Sequence, residues 1–120
     1  MPTYDDNNIF AKILNGDIPC DKVYEDDHVL AFNDIAPQAP VHILVIPKGK
    51  YMSIDDFGAN APAEEIKAFF SAVAKIAEEN GITGSGFRSI ANTGANGGQE
   101  VPHFHLHLLG GKKIGPMVAG

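Results

Sequence analysis

Two periods organise the hydrophobic positions of this chain. From Pro62 to Asn80, Ile66, Phe69, Phe70, Val73, Ile76 and Ala77 recur at three- and four-residue steps, predicting a long helix with one apolar face. Pro62 suits its first turn, Glu64 and Glu65 its dipole, and Gly81 its C-terminal cap. Ile9 to Leu14 has the same spacing and stops at Asn15-Gly16, predicting a short helix. Elsewhere the pattern is that of strands. Lys22–Glu25 and Val29–Phe32 flank the polar turn Asp26-Asp27-His28, and Val41–Ile46 is a β-branched run closed by Pro47-Lys48-Gly49. Gly86–Ala91 and His103–Leu109 complete the set, separated by a loop over residues 92–100 rich in Gly and Asn. Strands that follow one another without regular βαβ alternation indicate an antiparallel α+β fold. No linker, repeat or low-complexity tract divides the chain, so residues 1–120 read as one domain.

The last predicted strand carries the candidate chemistry. His103, His105 and His107 alternate with Phe104, Leu106 and Leu108, so a strand would put the imidazoles on one face and an apolar stripe on the other. Side chains on one face recur roughly every 7 Å, close enough for several to touch one small ligand. Histidine can be nucleophile, base, acid or metal ligand near neutral pH. A solvated outer face usually mixes Lys, Glu, Thr and Ser and does not place three histidines in a row. A His-x-His pair can bind zinc with a third ligand from His42 or His107. The loop before the strand favours an anion instead: Asn92-Thr93-Gly94 and Gly97-Gly98-Gln99 offer amides and backbone N–H groups of the kind phosphate oxygens accept.

Bulk properties narrow the field. The 120 residues carry a formal charge of −6, which argues against a general affinity for nucleic acid or an anionic membrane but permits a local anion site. Cys20 is the sole cysteine, so no intrachain disulfide or thiolate zinc cluster can form, and it reads as an inert thiol. The N-terminus is polar and acidic, unlike a secretory signal, and no apolar stretch approaches the ~20 residues of a membrane span. A cytoplasmic location is the expectation.

With these features the chain resembles the histidine triad (HIT) family of nucleotide hydrolases and transferases, and within it the Hint branch of nucleoside phosphoramidases. The residues that carry the resemblance are Gly98 to Gly111, with its alternating histidines, and the upstream blocks Ile9–Ile13, Leu30–Pro40 and His42–Lys48, in the family's order. It implies a two-layer domain with a sheet of about five strands, one long and one short helix, and a homodimer. It implies that His105 is a nucleophile attacking the α-phosphorus of a purine nucleoside phosphoramidate or nucleotidyl anhydride. A covalent nucleotidyl-histidine would form, and water would release AMP or GMP.

The resemblance also assigns supporting parts. The His103 carbonyl would fix the nucleophile's tautomer, His107 would contact phosphate oxygens, and His42 would stand behind the row in a proton relay. Asn92 and Gln99 would hold phosphate oxygens, Asp34 the ribose hydroxyls, and Phe32 and Ile35 the base, with Gly98 and Val101 completing the nucleotide contacts. On residue type alone, His42 could be a satisfied core histidine and Asp34 a turn initiator. Glu100 stands where eukaryotic Hint proteins have a serine beside the leaving group, and either points away or accepts from an amine. Some HIT proteins carry an N-terminal Cys/His zinc site; Ala11 and Asp21 offer no such ligands, so no metal or cofactor is expected. Two other classes compete: a metal-dependent hydrolase using the histidines as ligands, and a nucleotide-binding interaction protein. His28 reads as a surface residue.

Overall fold

The computed structural model describes residues 3–119. Its elements run α1 (Ile9–Leu14), β1 (Lys22–Glu25), β2 (Val29–Asn33), β3 (Val41–Pro47), α2 (Ile54–Asn60), α3 (Ala63–Glu79), β4 (Phe87–Ile90), α4 (Gly94–Gly97) and β5 (Leu106–Gly110). The strands form one antiparallel sheet in the order β1-β2-β3-β5-β4. The α+β class and the five-stranded sheet are as the sequence predicts.

The most apolar strand is the central one. All but the first residue of β3 are buried, and it is paired on both sides, with β2 and with β5. Alternation then divides the core in two. Val29, Ala31, Ile43, Val45, Leu106 and Leu108 face α3, where Phe69, Ala72, Val73 and Ile76 cover them. Phe57 of α2 seals one end of this layer, within 5.2 Å, centroid to centroid, of both Phe69 and Phe104. On the opposite face Leu30, Phe32, Leu44 and Ile46 pack against Phe10 of α1. That smaller cluster leaves the rest of its face to the histidines.

Two glycines set the far end of β5. Gly81, at φ +71°, follows the C-cap of α3, a turn only glycine makes without strain, and Ile82 N–H then bonds back to Ala77 O. This drives Ile82 so close to Gly110 that a Cβ there would lie 2.8 Å from the isoleucine.

The structure departs from the sequence reading in four places. Pro62 is the N-cap of α3 rather than part of its first turn. The helix α2 was not anticipated, because in Ile54-Asp55-Asp56-Phe57-Gly58-Ala59-Asn60 only Ile54 and Phe57 are large and apolar, too few to show a period. Its N-cap Ser53 makes no side-chain cap bond, and Asp56 instead accepts from Met52 N–H at 2.8 Å. The loop over residues 92–100 contains one helical turn, α4. Finally, the β5 ladder begins at Leu106 and not at His103. Pro47 ends β3, and Phe104 N–H bonds instead to Tyr51 O at 2.7 Å. The alternation survives outside the ladder: Phe104 joins the α3 core, while His103 and His105 lie on the other side.

Candidate active site

On the sheet face away from α3, a cavity of about 490 Å³ opens between α1, the end of β2, Leu44 at the middle of β3, and the loop before β5. His105 and His107 form part of its wall, and Phe10, Phe32, Asp34 and Val101 are among its other walls. A wider depression beside β1, bounded by Lys22, Tyr24, Asp26 and Lys48, includes none of the histidines that alternate along the chain.

Hydrogen bonds assign the protons of the four histidines. Gln38 N–H donates to His42 Nδ1 at 3.0 Å, so the His42 proton is on Nε2. That Nε2–H points at His107 Nδ1, 2.9 Å away, with Asp34 Oδ2 at 3.4 Å. His107 therefore keeps its own proton on Nε2, as a donor. Register explains the meeting: His107 lies across from Leu44, and His42 is two residues back on the same face of β3.

His105 has the reverse tautomer. Its Nδ1–H donates to the His103 carbonyl at 2.7 Å, leaving the Nε2 lone pair without a partner among the described residues. Its ring lies 4.9 Å from Phe10 and 5.1 Å from His107, edge to face with each. His103 is fully buried. Its Nε2–H donates to Pro47 O at 2.8 Å, and its Nδ1 accepts from the Tyr4 hydroxyl at 2.6 Å.

Burial favours the neutral form of His103, His105 and His107. It lowers His103 to about 4, only partly opposed by the Pro47 carbonyl. Burial also lowers His107 to about 4, aided by the adjacent His105 and His42. His105 is lowered chiefly by burial, against its bond to the His103 carbonyl and the charges of Asp34 and Glu100. A neutral imidazole with an open Nε2 is a nucleophile; a neutral one presenting Nε2–H is a hydrogen-bond donor.

The remaining predicted residues fall into two groups. Phe32, Asp34, Ile35, Asn92, Gly98 and Val101 all line the cavity, Ile35 as an almost wholly exposed lip. Asp34 also accepts from Ala36 N–H at 2.8 Å, so the turn-initiating and cavity-lining descriptions both hold. Gln99 is different. Its amide donates to Met52 O and Val101 O, at 2.6 and 2.9 Å, and its carbonyl accepts from Gly94 N–H at 3.2 Å. Its side chain is occupied in fastening the loop and is not among the walls of the cavity.

Glu100 lines the cavity, exposed, whereas His28 sits in the β1–β2 turn. The metal alternative needs a different donor set from the one first considered, since both ring nitrogens of His103 are in hydrogen bonds. Donor atoms of Asp34, His42 and His107 do lie within 4.8 Å of one another, and the His42–His107 hydrogen bond accounts for that approach. Sequence reading missed Phe10 and Tyr4. Phe10 showed only as a helical core position, and nothing in the pattern linked Tyr4 to a residue 99 positions away.

An antiparallel five-stranded sheet with this histidine arrangement defines a histidine triad protein. The HIT domain family matches residues 15–114, and the chain belongs to that family as one of its enzymes. It is 53% identical over 116 residues to an uncharacterised HIT-like protein of Azospirillum brasilense, covering 97% of this chain and 95% of the relative. It is 48% identical over 114 residues to the purine nucleoside phosphoramidase of Escherichia coli, covering 95% of each. A histidine triad protein structure from Clostridium difficile superposes with a TM-score of 0.83 at 48% identity, over 97% of this chain and all of that one. A HIT family hydrolase from Legionella pneumophila gives 0.84 at 43%, over 91% and 96%. No described helix is long and apolar enough to cross a membrane.

Proposed function

We propose that this protein hydrolyses purine nucleoside phosphoramidates at the α-phosphorus through a covalent nucleotidyl-His105 intermediate. The observation that carries the proposal is the His105 ring, whose Nδ1–H is held by the His103 carbonyl while Nε2 is left open in the cavity wall. Its likeness to the E. coli phosphoramidase supports the substrate class.

His105 Nε2 attacks phosphorus and the P–N bond to the leaving group breaks. A proton from solvent accompanies that nitrogen out as free amine. Water then adds to phosphorus and returns a proton to solvent; the bond to His105 breaks, and AMP or GMP departs. His107 Nε2–H donates to a non-bridging phosphate oxygen and steadies the charge growing there. His42 holds His107 in the donor tautomer. Asp34 accepts from the ribose hydroxyls, Phe32 and Ile35 bound the base, and Asn92 with the Gly98 and Val101 backbone contacts the phosphate. Gln99 serves as a fastener of that loop.

The proposal extends to one domain over residues 1–120, acting in the cytoplasm as a homodimer. Phe70 on α3 and Phe87 on the edge strand β4 are large apolar side chains left exposed, at 50% and 40%, and an edge strand is open to pairing. Sedimentation at micromolar protein should show a dimer.

Rapid quenching with adenosine 5′-phosphoramidate tests the chemistry. Mass spectrometry should find an adenylyl adduct on His105, absent in His105→Ala and unaffected by chelators. Turnover that chelators abolish, with no adduct, would favour the metal-dependent alternative.

A further inference from the structure

We propose that Tyr4 is a positioning residue for the nucleophile, acting through His103 from a segment that precedes the family-matched residues 15–114. The inference rests on His105 as the attacking group. Its starting point is the buried His103 ring, which is not among the walls of the active-site cavity and yet has both nitrogens hydrogen-bonded. Pro47 O can only accept, so Nε2 bears the proton and Nδ1 must find a donor. The Tyr4 hydroxyl is that donor, 2.6 Å away, with the two rings edge to face at 5.6 Å.

The segment presenting Tyr4 is tied at several points. Asn8 caps α1 through Ala11 N–H at 2.9 Å and donates to Asp5 O at 2.7 Å. Asp6 pairs with Lys50 at 2.7 Å, and that ammonium lies 6.0 Å from the Tyr4 ring centroid. Phe10, on the helix so capped, meets both His103 and His105 edge-on. One short stretch therefore grips the first triad histidine through Tyr4 and the second through Phe10.

Consequence follows from continuity. The carbonyl that orients His105 belongs to His103, and that residue is held by Pro47 on one ring nitrogen and Tyr4 on the other. Without the hydroxyl, His103 Nδ1 becomes an unpaired buried acceptor. Unless a water takes the place of the hydroxyl, the ring turns, changes tautomer against Pro47 O, or moves with its residue. Each of these movements disturbs the carbonyl to which His105 Nδ1–H donates, and frees His105 to place its proton on the attacking nitrogen.

Tyr4→Phe removes one oxygen and keeps the ring contact. The test pairs imidazole ¹⁵N spectra of ligand-free wild type and variant with kcat and KM on adenosine 5′-phosphoramidate. The expected result is a single Nδ1–H tautomer of His105 in the wild type and a tautomer mixture in Tyr4→Phe. With it, kcat should fall about tenfold, the order of one lost hydrogen bond, while KM changes less than twofold. A single His105 tautomer in the variant overturns the proposal whatever the rate, and so does an unchanged kcat with mixed tautomers. The spectra need no substrate, so if the wild type turns over no phosphoramidate the proposed function fails and the spectra still decide whether Tyr4 sets the His105 tautomer.

Discussion

The two faces of the sheet solve opposite problems. Toward α3, twelve buried side chains from Val29 to Leu108 meet with no polar group among them, and Phe57, Phe69 and Phe104 interlock as an aromatic cluster. Toward α1, five buried apolar residues share their face with His42, His103 and His105, each buried and each needing hydrogen-bond partners. Every side-chain polar atom sealed from solvent among the described residues has one, and His105 Nε2, open to the cavity, is left without. The first face gains stability from buried apolar area and close packing, neither of which assigns a proton to any atom. On the second, each proton has an assigned place, which directs one lone pair outward. Stability and chemistry are thus separated by the period-two alternation of the same strands.

The separation can be broken from either side. His105→Ala should reduce kcat on a phosphoramidate by about 10⁴-fold or more, with nucleotide binding and melting temperature little changed. Retention of more than a few per cent of wild-type turnover would remove His105 from its role. Phe69→Ala should do the converse, costing roughly 3–5 kcal/mol in denaturant unfolding while kcat per folded molecule stays within twofold. A large loss of kcat in the folded variant would show the faces to be coupled.

Acid should act through the histidine face. His103 sits at about 4 when folded against an ordinary 6.5, so between those values the unfolded chain binds more protons than the folded one. Its contribution is complete above pH 6.5 and is lost as pH falls toward 4, on the order of 2–3 kcal/mol. His107 acts in the same direction but by less, because the cavity admits solvent. Unfolding free energies measured from pH 7 to 4 should fall along this window; a flat profile would contradict the buried neutral state. The smallest effect concerns the sugar. If Asp34 accepts from the ribose hydroxyls, kcat/KM for a 2′- or 3′-deoxy substrate should drop by about ten- to hundredfold, and Asp34→Asn should narrow the gap. Equal rates on ribo and deoxy substrates in the wild type would take Asp34 out of the site.

Much of this was legible in the chain. The apolar face of α3, the β-branched run of β3 and the alternation from His103 to Leu108 are local periods, and a local period survives whatever packs against it. Helix α2 escaped because seven residues hold too few apolar positions to display one. Gln99 was expected at the phosphate because its residue type suits that task; its three hydrogen bonds depend on where Met52, Gly94 and Val101 come to lie.

By itself, then, the sequence determined which residues share a face, that the histidines stand opposite an apolar stripe, and the family that this pattern marks. Tertiary structure decided the protons of His42, His103 and His107. Whether a ring nitrogen donates or accepts depends on the single atom facing it, and those atoms, Pro47 O, Tyr4 Oη, Gln38 N and His42 Nε2, arrive from other strands, loops and the N-terminal segment. Most of these contacts span tens of residues, beyond the reach of any local period. The open Nε2 of His105 has a local cause, the His103 carbonyl two residues back that takes its Nδ1–H.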